Sequence, residues 1–513
     1  MDFEVREPYA RRRTDRSPIA QVIGPIEAAF AAGNLLLAHQ LIEEQPVVAW
    51  FGFPQERFGE ILNAVMREHA PSRGFVASMG ALLRPGHGSL GDPSGLARSA
   101  PRSAEALATE LFALRRSGRV IDALSVAREL ARHYGSLQVA YDASLGWGLF
   151  STVQHGITTM LAGEFGESLA TFAVARMQNR VPALTALSRD AHLKPAVIEA
   201  LYGDPRKARQ LIEAADRLPR TESWVEDTVD ATRAIAVATL QSGDPERALR
   251  ILDEVPLHDV GEMWPFYIAA VHRQVTMLGD PREANRRLAP FASAPGARDG
   301  GQGFTGSVLS LCDARMAIVH GDLARAARAL ADADGALTIT AVLAALLELL
   351  SGKARQAQRR ASELRAGTRD LRTLDLWRMA VIAGSHLALG ETDDCRATLD
   401  LVLDYPGGLQ PDEARYFSRP VRELAEAEVP GWPLLPEASP GEFEPFPAAE
   451  TMLTVREVGL LAQLASGRTR AEIARSEFIS VNTLKAHLSS IYRKLGVGSR
   501  AAAIAHAERR GLL

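Results

Sequence analysis

Apolar positions recur at helical spacing along most of this chain, and glycine interrupts them at intervals. One phrase is repeated: an apolar stretch ends, a Gly follows, and five residues later a small side chain opens the next stretch. It reads "FAAGNLLLA" at Gly33, "RRSGRVIDA" at Gly118, "MLAGEFGES" at Gly163, "ALYGDPRKA" at Gly203 and "LQSGDPERA" at Gly243. It continues as "TMLGDPREA" at Gly279, "IVHGDLARA" at Gly321, "LLSGKARQA" at Gly352 and "LALGETDDC" at Gly390. The small residues are Ala38, Ala123, Ser168, Ala208, Ala248, Ala284, Ala326, Ala357 and Cys395. The pattern predicts helix pairs. Gly takes the left-handed position that ends one helix, Asp caps the next and Pro fits its first turn. The small residue lets the two helices approach, and an apolar residue nine positions after the Gly (Ile42, Phe172, Ile212, Leu252, Leu288, Leu330, Leu399) extends the same face.

From Gly118 the spacing is 31 to 45 residues, the period of stacked helix pairs. Two Gly/Pro-rich interruptions, 84–103 and 293–306, read as loops. Residues 429–450 hold six prolines and four glutamates and read as a stiff tether.

Beyond the tether the pattern changes to short helices with strong start signals. "LTVREVGLLAQLASG" opens with a capping box, Thr454 and Glu457, with Leu453 and Val458 at the staple positions, and closes on Gly467. "TRAEIARS" repeats the box with Thr469 and Glu472. "SVNTLKAHLSSIYRKLGV" starts at the cap Ser480, and Ser499 caps a last helix. The two middle helices, joined by a tight turn, make a helix-turn-helix layout. At 100° per residue, Leu484, Leu488, Ile491 and Leu495 share one side of the third helix. Asn482, Ala486, Ser489 and Arg493 lie opposite, with Thr483 and Lys485 on the flanks. Small residues with a basic rim suit a major groove, where base edges need close approach and phosphates need donors. No acid stands between 481 and 495.

Charge sharpens the division. Residues 451–513 hold ten Lys/Arg and four Asp/Glu, a net +6; the whole chain is −4, so residues 1–450 carry −10. The basic segment is the one expected to meet a polyanion. The 47% apolar, aromatic-poor composition of the 513 residues favours helices, without a membrane span or a secretory leader. Cys312 and Cys395 make no disulfide framework and no metal-ligand spacing. No phosphate-binding loop, nucleophile elbow or zinc-protease motif is found, so no catalytic residue, metal or cofactor is expected.

The C-terminal motifs closely resemble the LuxR/GerE-type helix-turn-helix family. Its pattern is met by Leu453 to Glu457; by Gly467, Thr469 and Glu472 to Ala474; by Ser480, Thr483 to Lys485 and His487; and by Ile491, Lys494, Leu495, Arg500 and Ala503. The resemblance implies a dimeric bacterial transcription regulator whose third helix reads the major groove of double-stranded DNA. Carried over, Lys485 becomes the base or phosphate donor, and Ala486 and Ser489 face the groove. Asn482, Thr483, Arg493 and Lys494 hold the backbone, and the last helix, 499–511, serves dimerisation; His487 belongs to the core edge or to a phosphate. Gly459 and Glu477 depart from the pattern, standing where Glu and a core Leu are usual. More loosely, the region before it resembles the tetratricopeptide-like sensor of the large maltose-regulator-like LuxR proteins, without their P-loop ATPase.

The expectation is therefore an all-α, non-enzymatic cytoplasmic protein. It comprises a flexible tail at 1–20, an α-solenoid of tetratricopeptide-like helix pairs at 21–428, the 429–450 linker and a four-helix LuxR-type domain at 451–513. The solenoid would sense a ligand or protein partner, and RNA polymerase is a further partner. The other reading of the same residues is a helical scaffold that uses its C-terminal module for dimerisation or recruitment.

Overall fold

The structure, a computed structural model, describes residues 17–69, 75–76, 104–136, 146–178, 181–241, 243–278, 286–287, 302–435, 442–443, 455–476, 484–485, 487–488, 491–492, 499–500 and 503–504. Among them every regular element is helical. No helix of the described residues is long and apolar enough to cross a membrane. The chain divides into two compact units, one of residues 1–317 and 322–442 and one of residues 318–321 and 443–513.

The first unit is built from the repeated phrase. Trp147–Ala162 pairs with Phe165–Met177, Thr185–Leu201 with Pro205–Asp216, and Arg372–Ala388 with Thr392–Leu403. The eight small residues that are described (Ala38, Ala123, Ser168, Ala208, Ala248, Ala326, Ala357 and Cys395) are all at 0% exposure. A larger side chain there would separate the helices, and only Ala, Ser and Cys stand at the position in this chain. The apolar residues one turn on, from Ile42 to Leu399, are buried beside them; Leu288 and Ala284 lie outside the described residues. The expected caps form: Asp204, Asp244 and Asp322 accept from the amides of Arg206, Arg247 and Arg325 at 2.8–2.9 Å.

The left-handed turn is found at Gly33, Gly118, Gly163, Gly321, Gly352 and Gly390. Gly203 is a correction. Its backbone is not left-handed, and a Cβ there would stand 2.0 Å from the Glu199 carboxylate and 2.9 Å from the Glu199 Cα. Close approach, not turn geometry, requires glycine at that site. Nothing in the structure requires it at Gly243, and Gly279 lies outside the described residues.

Other expectations shift at their edges. Residues 18–20, read as tail, already belong to the helix Pro18–Ala31, capped by Ser17, which accepts from the Ala20 amide. Residues 303–306, read as loop, open the helix Gly303–Val319, with Phe304 at 0% exposure. The loop at 84–103 lies outside the described residues. The supposed tether is partly packed: Val429, Trp432 and Glu442 are buried. First helices of successive pairs also pack on one another. Yet the unit is tied across residues 144 to 205 positions apart, as in Thr305 to Leu161 and Ser17 to Glu222. Ser223 and Trp224 bond the carbonyls of Phe51 and Trp50 at 2.7 and 2.9 Å. A stack whose repeats touch only their neighbours makes no such bonds.

Candidate nucleic-acid interface

The second unit is organised by one apolar cluster. Leu460, Leu461 and Leu464 come from the helix Val455–Ala465, and Ile473 and Ala474 from the helix Arg470–Ser476. Leu484, Leu488, Ile491 and Ala503 complete it, and none of the nine exceeds 3% exposure. Steps of four and three residues between Leu484, Leu488 and Ile491 place them on one stripe. The third helix is thus held by the face the periodicity assigned to the core. Lys485, one residue on from Leu484, is exposed, and His487 is half-buried at the edge of the cluster.

Two local devices fix the helices before it. Gly467, left-handed at φ +86°, ends Val455–Ala465. The second capping box forms: the Thr469 amide and hydroxyl donate to Glu472 Oε2 at 2.8 and 2.9 Å, and the Glu472 amide donates back to the hydroxyl at 3.3 Å. Those bonds to its charged form hold the Glu472 carboxyl below the usual carboxylate range.

A residue without an assigned role in the sequence now has one. The Arg500 guanidinium donates to the carbonyls of Leu464, at 2.7 Å, and Arg468, at 3.1 Å. It satisfies orphan acceptors at the end of one helix and the turn after it. Its place beside the cap Ser499 was a visible signal for a helix start, but its long-range partners were not. Gly459 is exposed, and a Cβ there would meet nothing within 4 Å.

Of the DNA-facing residues expected from the sequence, the structure places Lys485 on the exposed side. Asn482, Thr483, Ala486, Ser489, Arg493 and Lys494 lie outside the described residues, as do Thr454, Ser480, Glu477 and Leu495. Elsewhere, His386, Glu391 and Asp394 bring ligand-type atoms within 4.8 Å of one another. His386 Nδ1 is bonded to Glu391 Oε2 at 2.8 Å across the Gly390 turn.

Residues 451–507 match the model of the bacterial regulatory proteins, luxR family. The C-terminal segment is a LuxR-family helix-turn-helix domain. It is 55% identical over 53 residues to the probable transcriptional regulatory protein SgaR of Hyphomicrobium methylovorum, covering 10% of this chain and 25% of that one. It is 40% identical over 62 residues to the probable transcriptional regulatory protein NarL of Mycobacterium tuberculosis, 12% of this chain and 29% of that one. It is 38% identical over 64 residues to the HTH-type transcriptional regulator AlkS of Alcanivorax borkumensis, 12% of this chain and 7% of that one. The chain spans about a quarter of the length of the first two relatives.

Proposed function

We propose that this chain is a sequence-specific DNA-binding transcription regulator of the bacterial cytoplasm. The third helix of its LuxR-family domain enters the major groove, with Lys485 toward base or phosphate. Asn482, Thr483, Arg493 and Lys494 hold the backbone, and Ala486 and Ser489 lie against the groove floor. The observation that carries the reading is the orientation of that helix: Leu484, Leu488 and Ile491 are buried together while Lys485 is exposed, in a segment matching the family model. The +6 charge of residues 451–513, against −10 for the rest, supports the same assignment. The helical body would act by binding, as a tetratricopeptide-like sensor of a ligand or protein, and not by catalysis. Dimerisation through 499–511 and contact with RNA polymerase complete the proposal.

Selection of genomic fragments by the full-length protein at physiological salt tests it. A single enriched motif is expected, lost entirely in Ala486→Glu, which places an acid against the groove while sparing the apolar stripe. Retention of that motif by folded Ala486→Glu, or no enrichment at all, would sink the reading.

A further inference from the structure

Glu442 is an acid in a segment whose composition reads as an exposed tether, yet it is only 7% exposed. Arg315, from the helix Gly303–Val319, donates to Glu442 Oε1 at 2.5 Å while its guanidinium stacks 5.1 Å from the Trp377 ring. Arg415 holds the segment from the other side. Its carbonyl accepts from the Glu442 amide at 2.9 Å, and its Nε stands 3.4 Å from Oε2. Arg273, from the helix Trp264–Leu278, is close enough to act on the same carboxylate, and leans on the carbonyls of Ala200 and Leu201. Three guanidiniums therefore bear on one carboxylate. Burial alone would raise the Glu442 carboxyl, but the arginines, Arg415 and Arg315 foremost, outweigh it and hold it below the ordinary range.

Two features make this more than a structural ion pair. Removing Glu442 would leave buried guanidinium charge uncompensated, so the vacated place strongly favours another anion. The occupant is also imperfect: Arg415 Nε is buried without a hydrogen bond. A planar carboxylate free of the chain could meet both forks at once.

We propose that Arg315 and Arg415, backed by Arg273, form a carboxylate-binding site in the helical body, filled here by Glu442 of the same chain and taking a small free carboxylate when Glu442 leaves. The site does not depend on DNA binding, and its test does not use DNA.

Full-length Glu442→Ala and the parent are melted in acetate and in chloride at equal ionic strength. Acetate should raise the variant's body transition by about 1–3 °C beyond any rise in the parent, whose site is filled. Backbone amides around residue 442 should exchange roughly tenfold faster in the variant in either salt, because acetate refills the arginines without retying the chain. Glu442→Ser, which clears the space while keeping a short polar side chain, guards against a folding failure and should show the same acetate-specific rise. Equal responses of parent and variants to the two salts would overturn the proposal.

Discussion

The two units use charge in opposite ways. The body, the more acidic part, buries several of its cations in ion pairs: Arg189 with Glu226, Lys194 with Asp190, Arg372 with Glu413 and Arg315 with Glu442. The LuxR-family domain has a core cluster that is purely apolar, with described basic residues such as Lys485, Arg468, Arg470 and Arg475 exposed around it. Charge that is consumed inside specifies packing; charge that is displayed is available to a partner. Total composition could not reveal this, because both units are rich in arginine.

The comparison is broken most severely from within the body. Glu226 is 1% exposed, accepts from the Thr221 amide and hydroxyl at 2.6 and 2.8 Å, and is bonded by Arg189. Burial nevertheless leaves its carboxyl above the ordinary range. Glu226→Ala strands Arg189 with Asp230 alone and should cost about 3–5 kcal/mol. Calorimetry of the full chain should show the body transition falling while that of the LuxR-family domain stays. Glu226→Gln, which keeps an acceptor for Thr221, should cost less. Transitions that fall together would mean the two units do not fold independently.

Displayed charge makes the converse prediction. Lys485→Ala should leave both transitions in place and weaken binding to the selected motif by about 1–3 kcal/mol, with relaxed preference at one base pair. Arg493→Ala should weaken all sequences about equally and lower the salt slope by about one unit. A drop in melting temperature in Lys485→Ala would assign that side chain to the fold instead.

Arg500 sits between these cases, a basic residue of the LuxR-family domain used internally. Its bonds to the carbonyls of Leu464 and Arg468 are charge-assisted and partly exposed. Arg500→Ala should destabilise this domain by about 1–2 kcal/mol, read from its transition, and Arg500→Lys should recover only part of that.

What was legible follows from how local the cause is. The Gly-to-small-residue phrase is set by neighbours on adjacent helices, so burial of Ala38, Ala208 or Cys395 could be read from spacing. The Thr469–Glu472 box and the Leu484–Leu488–Ile491 stripe are likewise local. The helix start at Pro18 carried its signal, a Ser cap before a Pro, in plain view. Features that depend on distant chain were not readable: the bonds from Thr373 to the Gly203 carbonyl, the Arg500 clamp, and Glu442 drawn out of a Pro-rich tether by arginines 127 and 27 positions away.

The smallest predicted effect tests the family departure at Gly459. It lies mid-helix in Val455–Ala465, exposed, with nothing within 4 Å of where a Cβ would stand. Its backbone is not left-handed, so neither turn geometry nor close packing asks for glycine. Glycine there costs backbone entropy that alanine does not. Gly459→Ala should therefore stabilise the LuxR-family domain by about 0.5–1 kcal/mol. Gly459→Glu, the residue usual in the family, should do nearly as well, since the site is open to solvent. The body transition should not move in either variant. A destabilised Gly459→Ala would mean that this face of the helix is covered when the protein is assembled. In that case the displayed surface of the LuxR-family domain is smaller than its charge alone suggests.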